Sequence, residues 1–190
     1  MAGNYHYHQA PLALLNQLDP GNSGEHHSPI IGFAFDGFPV YGPYGFANSD
    51  GSGGIVRESS SYTLRSITQR HTLPDGTVLP SNQWGPDVSA QFPLGSYVED
   101  YTYAPGVGSL DQYNGRFVVT PQYPQGTYAY FVSLNAAGSS VYPYIIGPQY
   151  YGVVDTGNLQ GGNIVVPADV NEGAFGSAIR WDVTTNSENP

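Results

Sequence analysis

The sequence contains no cysteine and no lysine among its 190 residues. Without cysteine, disulfides, thiolate nucleophiles and zinc sites with sulfur ligands are excluded. Only five basic residues, all of them arginines, oppose fifteen acidic residues, which gives a formal net charge of -10. Because a surface with this charge repels a phosphate backbone, we expect no nucleic-acid partner.

Long apolar runs are also missing. Glycine, proline or asparagine interrupts every apolar stretch before it reaches the roughly 20 residues that a transmembrane helix needs, so we expect no membrane span. The chain shows no basic segment followed by an apolar run at its start, and hence no visible leader. Low charge density, many turn residues and 16 tyrosines are typical of exported β proteins. We expect an extracellular, cell-surface or periplasmic location, with the leader already removed.

Helical periodicity is confined to one short stretch, where Leu12, Leu15 and Leu18 follow Pro11 and predict a helix near residues 11–18. Elsewhere, short apolar or alternating runs lie between turn-rich separators, and this pattern predicts strands. We therefore expect an all-β fold, either an antiparallel β-sandwich or a distorted barrel. The predicted strands are IIGFAFDGFPVYG, SYTLRSIT, GRFVVT, GTYAYFVSL, VYPYIIG and NIVVPADV.

The distribution of aromatic strand segments predicts the domain organisation. These segments end near residue 152, and the following residues have few aromatic side chains until Phe175 and Trp181. We expect one β domain over residues 1–152 and a C-terminal extension over residues 153–190 that packs on the same domain.

The tetrapeptide Tyr5-His6-Tyr7-His8 carries the strongest chemical signal. On a strand, side chains two residues apart lie on the same face, so His6 and His8 would stand side by side. Their Cβ atoms would be roughly 6.6 Å apart, and two imidazoles can converge on one cation across that gap. The alternative is a pair of polar histidines on an aromatic strand that bind no metal.

A third ligand must come from another segment. We expect it to be His27, which adjoins the strand entrance at Ser28-Pro29. Asp36 is the leading carboxylate, because a charge among aromatic residues is costly unless it is paired or coordinated. Asp36-Gly37 is equally compatible with a simple turn.

Several motifs together resemble the YHYH domain family over about residues 4–152. The family is similar to a domain of unknown function that is often exported, so the resemblance implies no particular reaction. Its motif positions fall here on the first tetrapeptide, on Asp36, on Glu99 and Asp100, and on Asp111 with Asn114 and Gly115. The matching stretches are YHYH, HSPIIGFAFDGFPVYGPYG, YVEDYTY, LDQYNGRF, TPQYPQGTYAYFVS and YPYIIGP.

The chain departs from this family pattern at two points. Many relatives have a second Tyr-His-Tyr-His where this sequence reads Tyr128-Ala129-Tyr130-Phe131, so the two histidines of a symmetric four-histidine site are missing. The cysteines found near the ends of many relatives are absent as well, and the disulfide that they imply does not apply here.

The family motifs also add carboxylates to the candidate ligands. On a strand, Glu99 and Asp100 would point to opposite faces, so only one of them can join a given site. Asp111 with Asn114 has the oxygen spacing of a cation loop or of an Asx turn, and we favour the turn. Arg116 could pair with Asp111 or Glu99, which would explain these charges without any function.

The main functional hypothesis is an exported β domain with a mononuclear metal site. Its candidate ligands are His6, His8, His27, Asp36, Glu99, Asp100 and Asp111. Imidazole and carboxylate ligands without sulfur suit zinc or copper first, and iron or manganese next. An open coordination position would permit metal-dependent catalysis on an unidentified substrate.

The alternative hypothesis is an extracellular module without catalysis, either carbohydrate-binding or structural and adhesive. Tyrosine-rich sheets offer flat apolar faces with hydroxyl groups, which suit a polysaccharide or small-molecule ligand. The tyrosines considered are Tyr5, Tyr7, Tyr41, Tyr44, Tyr101, Tyr103, Tyr128 and Tyr130. The sequence does not predict an oligomeric state.

Overall fold

The computed structural model describes residues 9–154. Its helix α1, Leu12–Leu18, starts directly after Pro11 and buries Leu15, which confirms the predicted helix. Two single turns of 3-10 helix, Ser81–Gln83 and Val98–Asp100, lie within residues 65–100. The strands in this part of the chain are β1 Ile30–Phe33, β2 Pro39–Tyr41, β3 Tyr44–Phe46, β4 Ile55–Arg57, β5 Tyr62–Leu64, β6 Tyr101–Tyr103, β7 Gly115–Val118 and β8 Thr127–Phe131.

The strands form a four-stranded sheet in the order β1-β2-β8-β7. Two separate antiparallel pairs, β3-β4 and β5-β6, complete the set. This confirms the all-β prediction. The prediction of an antiparallel sheet fails at one place, because β2 and β8 run parallel, with Val40 opposite Tyr130. Within residues 9–154 the sheet has free edges at β1 and β7, so these strands do not close into a barrel.

Strand β8 is buried on both faces and forms the centre of the fold. On one face Ala129 and Phe131 pack with Tyr41 and Val118. On the opposite face Tyr128 and Tyr130 pack with neighbours from β2 and the β1–β2 turn. Side chains alternate along a strand, so Tyr128 and Tyr130 necessarily share one face. We call this the tyrosine face.

One predicted strand is absent from the described structure. Residues 141–147, VYPYIIG, form turns rather than a strand. Tyr144 has a φ of 73°, a left-handed conformation that interrupts an extended chain, and its N–H donates to the carbonyl of Val141. The predicted strand NIVVPADV and most of the extension 153–190 lie outside the described residues, so the proposed domain organisation stays a prediction.

The only α-helix in residues 9–154 has seven residues. No helix in this part of the chain is both long and apolar enough to cross a bilayer.

Candidate functional site

His27 is the only predicted histidine ligand that the structure describes. It is 7% exposed and lies between the rings of Tyr41, Phe46 and Phe131, with centroid distances of 4.8, 5.1 and 6.1 Å. Burial lowers the pKa of His27, and the nearby Arg116 lowers it further, so the ring is neutral near pH 7.

The neutral His27 ring has one nitrogen engaged and one unused. Its Nδ1 lies 2.8 Å from the carbonyl oxygen of Ser28, and only a protonated Nδ1 can donate to that acceptor. Nε2 is therefore the nitrogen with the free lone pair. It is buried and has no hydrogen-bond partner within residues 9–154, which is uncommon for a buried polar atom.

An open cavity of about 630 Å³ lies beside His27. One wall is the end of α1, where Asp19 Oδ1 is 2.8 Å from Nε2 of His26. The cavity has both apolar and polar walls and is large enough for a small molecule. Its lining includes Leu18, Asp19, Glu25, His26, His27 and Gln122.

The predicted metal ligands are not gathered in the described structure. His6 and His8 lie outside the described residues, so the His-x-His pair stays a prediction. Within residues 9–154, no group of three or more histidine or acidic side chains is arranged to hold a metal ion.

Asp36 lies in the tight turn between β1 and β2, as the turn alternative predicts, because the N–H of Gly37 donates to the carbonyl of Ala34. Its side chain, however, makes distant contacts. Oδ2 accepts hydrogen bonds from the hydroxyl of Tyr130 at 2.6 Å and from the N–H of Gly152 at 2.9 Å. Oδ1 is buried, and none of the residues that the structure describes donates a hydrogen bond to it. Nothing in the described residues brings Asp36 to His27.

Asp111 forms the predicted Asx turn. Its Oδ1 accepts hydrogen bonds from the N–H of Tyr113 at 2.9 Å and of Gly115 at 3.2 Å, and the Tyr128 hydroxyl donates to both carboxylate oxygens. Asn114 has a φ of 63° and is fully buried, with its amide donating to two carbonyls. These contacts give the motif a structural role.

Glu99 and Asp100 do not lie on a strand. They belong to the 3-10 turn Val98–Asp100, so the prediction of opposite strand faces is wrong. Asp100 is fully buried and binds Arg70 through two hydrogen bonds of 2.6 and 2.8 Å. The N–H groups of Gly95 and Tyr97 also donate to it, so four donors share the two carboxylate oxygens.

The predicted partners of Arg116 are also wrong. Arg116 pairs with Glu58, a fully buried residue that also accepts a hydrogen bond from the Ser109 hydroxyl at 2.6 Å. The sequence did not point to Glu58 because its partners lie more than fifty positions away. A charged residue followed by Ser-Ser-Ser looks like a solvated loop.

The tyrosines proposed for carbohydrate binding are used mainly in the interior. Tyr41, Tyr128 and Tyr130 are at most 3% exposed, so they cannot offer a surface to a sugar ring. Burial raises the pKa of Tyr41 to about 12, and its hydroxyl is 2.8 Å from that of Thr120. Tyr5 and Tyr7 lie outside the described residues, and Tyr44, Tyr101 and Tyr103 are partly buried.

Comparisons with known proteins give one result. Neither the curated proteins nor the solved structures contain a match to this chain. The sequence pattern of the family described as YHYH protein matches residues 1–142, about three quarters of the chain. The chain therefore belongs to the YHYH protein family.

Proposed function

We propose that this chain is an exported β domain that binds one transition-metal ion through His6, His8 and His27. The observation that carries the proposal is the buried Nε2 of His27, which has a free lone pair and no hydrogen-bond partner among the described residues. Zinc or copper is the first expectation, and iron or manganese the next.

The hydrogen bonding of His27 supports this role. A histidine that binds a metal usually donates its other ring N–H to a carbonyl or carboxylate, which fixes the tautomer and the ring orientation. His27 has this arrangement, since Nδ1 donates to the Ser28 carbonyl. The nearby positive charge of Arg116 opposes a cation, but Glu58 neutralises that charge.

The chain length permits His6 and His8 to reach His27. Ser28 and Leu15 lie close together, because a Cβ placed on Gly42 would be 2.8 Å from Ser28 Cβ and 3.0 Å from Leu15 Cδ2. Ala10 lies five residues before Leu15, which corresponds to roughly 7.5 Å along the chain at the rise per residue of an α-helix. The four residues from Ala10 back to His6 can span roughly 13 Å.

The cavity beside His27 would give a bound metal its access to small molecules. Two or three imidazoles leave at least one position of a four-coordinate ion open. A metal ion with such an open position would lower the pKa of bound water and polarise a substrate oxygen. The His26–Asp19 pair lines the same cavity.

The decisive experiment is elemental analysis of protein purified without a nickel column. We expect about one metal ion per chain in the native protein, and a large loss of metal in a His6→Ala/His8→Ala variant and in His27→Gln. His71→Gln is the matched control, because the His71 ring stacks on Trp84 at 3.8 Å and is not a proposed ligand.

Two results would contradict the metal site. One is the absence of stoichiometric metal from native protein that has been incubated with zinc and with copper and then dialysed. The other is an equal metal content in all variants. Unfolding that is insensitive to chelator and to added metal would instead favour the structural module, since a ligand bound only by the folded state must stabilise it.

A further inference from the structure

Residues 150–152 cross the tyrosine face as a short strap. The ring of Tyr151 lies flat on that of Tyr128, with a centroid distance of 3.7 Å and an angle of 4°. Phe38 and Tyr113 make edge contacts with Tyr151 at 5.5 and 5.7 Å. We call the surface under the strap the tyrosine groove; it consists of Asp36, Phe38, Tyr113, Tyr128 and Tyr130.

The strap is held as a peptide ligand would be held. The N–H of Tyr151 donates to the Tyr130 hydroxyl at 2.7 Å, and the N–H of Gly152 donates to Asp36 at 2.9 Å. A Cβ on residue 152 would lie 2.9 Å from the Phe38 ring and 3.2 Å from Asp36 Oδ2. The groove therefore selects an aromatic ring followed by glycine.

The groove and the strap belong to different parts of the sequence. All five groove residues lie within the 1–142 segment that the family pattern matches, whereas Tyr151 and Gly152 follow it. Tyr151 remains 49% exposed in its seat. The family part of the chain thus forms the groove, and a later segment covers it.

Asp36 retains an unused binding capacity in this arrangement. Both of its donors bind Oδ2, and the buried Oδ1 has none. Among residues 9–154, no arginine or histidine forms an ion pair with Asp36 or with the neighbouring carboxylate Asp111. The strap supplies one neutral N–H donor, that of Gly152, to a carboxylate that would bind a cation better.

We propose that the tyrosine groove binds the free amino terminus of a peptide that begins with tyrosine and glycine. The strap is the internal competitor of this ligand. The proposal is independent of the metal site, because it uses neither His27 nor any other proposed metal ligand.

The hydrogen-bond chain explains the preference for an ammonium group. The nitrogen of Tyr151 is 2.7 Å from the Tyr130 hydroxyl, which is itself 2.6 Å from Asp36. An ammonium group at the position of the Tyr151 nitrogen would have three N–H donors instead of one. It would also bring a positive charge close to Asp36, which has no cationic partner among residues 9–154. Charge-assisted hydrogen bonds are about twice as strong as neutral ones.

The test uses calorimetric titration of the full chain with two probes. The first is the dipeptide amide Tyr-Gly with a free amino terminus, and the second is its N-acetylated form, which lacks the charge. We expect the free amine to bind about tenfold more tightly than the acetylated peptide, which corresponds to about 1.4 kcal/mol.

Variants locate the binding in the groove. Tyr151→Ala weakens the strap, so we expect both probes to bind at least several-fold more tightly. Tyr151→Phe is the matched control and keeps the ring stack, so its affinities should equal those of the native chain. Asp36→Asn should bring the two probes to similar affinities, and circular dichroism checks that each variant is folded.

Three outcomes would overturn the proposal. If neither probe binds Tyr151→Ala, the groove is not a ligand site. If the acetylated peptide binds as tightly as the free amine to the native chain, Asp36 does not select a cation. If Tyr151→Ala and Tyr151→Phe bind the free amine equally, the strap and the probe occupy different places. A groove result of either kind leaves the metal content of the protein, and hence the metal proposal, unaffected.

Discussion

Asp100 is fully buried and Asp36 is partly buried, and hydrogen bonds satisfy their carboxylates to different degrees. Asp100 has a guanidinium on two oxygens and two backbone N–H groups besides. Asp36 has a phenol and one N–H on a single oxygen, and no cation. A saturated carboxylate indicates a structural role, whereas an unsaturated one retains capacity for a ligand.

The locations of the two residues fit this difference. Asp100 joins the long segment between β5 and β6, where Arg70 also donates to the carbonyls of Pro86 and Pro93. Asp36 instead joins a turn to the central strand and to a strap near residue 152. The first arrangement fixes a segment with little regular structure of its own, and the second holds residues 151 and 152 against the tyrosine face.

The largest expected effect is that of Asp100→Asn. This variant keeps the side-chain shape but leaves the Arg70 guanidinium in the interior without a counter-charge, and such a break costs about 3–5 kcal/mol. Urea denaturation measures the loss in the free energy of unfolding. Asp87→Asn is the control, since Asp87 is 61% exposed and 3.7 Å from His71, and we expect little change there. A loss at Asp100 as small as that at Asp87 would remove the distinction between the two carboxylates.

Acid should destabilise the native chain through Asp100. Burial by itself raises the pKa of this carboxyl, but the hydrogen bonds from Arg70, Gly95 and Tyr97 outweigh it and hold the pKa below its ordinary value. Because the folded pKa is depressed, the stabilisation is fully present above the unfolded pKa of about 3.9 and is lost as the pH falls through the folded value. Unfolding measured from pH 6 to pH 2 should show a shallower acid loss in Asp100→Asn than in the native chain. Equal slopes would mean that other groups cause the acid sensitivity.

Tyr130→Phe should have an intermediate effect. The variant removes the donor to Asp36 and the acceptor for the Tyr151 N–H, and leaves two partly buried polar groups without that partner. We expect a loss of about 1–3 kcal/mol in the free energy of unfolding, together with faster hydrogen exchange at the Tyr151 amide. Tyr62→Phe is a suitable control, because the Tyr62 hydroxyl donates to the carbonyl of Gln112 outside the groove. Unchanged exchange at Tyr151 would show that Tyr130 does not hold the strap.

Gly152→Ala should have the smallest global effect and a local one. The added methyl would meet the Phe38 ring at 2.9 Å, so the strap must shift while the sheet stays intact. We expect less than about 1 kcal/mol in global stability, since the strap opens separately from the core. Hydrogen exchange at residues 150–152 should become faster. Gly32→Ala is the control, because the added Cβ has open space around it. Gly138→Ala is unsuitable, because Gly138 has a φ of 76°. A global loss larger than that of Tyr130→Phe would show that the strap is part of the core.

Much of the fold could be predicted from local patterns. The helix at Leu12–Leu18 and the central strand at Thr127–Phe131 follow from apolar periodicity, and the Asp111 turn follows from Asx chemistry. The strand predicted around Tyr142 does not form, because the chain adopts a left-handed conformation at Tyr144 in the middle of β-forming residues. Tertiary contacts override strand propensity at such a place.

The candidate sites were predicted less completely. His27 was identified by its position near a strand entrance, but the state of its two nitrogens depends on the Ser28 carbonyl and on rings from three strands. From the sequence, Tyr130 is predicted only as one tyrosine of an aromatic strand that could contact a polysaccharide. Its contact with Asp36 joins residues 94 positions apart, and no local pattern encodes such a pairing.

The sequence by itself determined the chemistry that this protein can use: no cysteine, few cations, an excess of carboxylates and many tyrosines. It also determined the β class through short apolar runs between turn residues. Only the tertiary structure decided which carboxylates are consumed by the fold and which remain available. Hydrogen-bond saturation depends on donors from distant segments, and these meet only when the chain is folded.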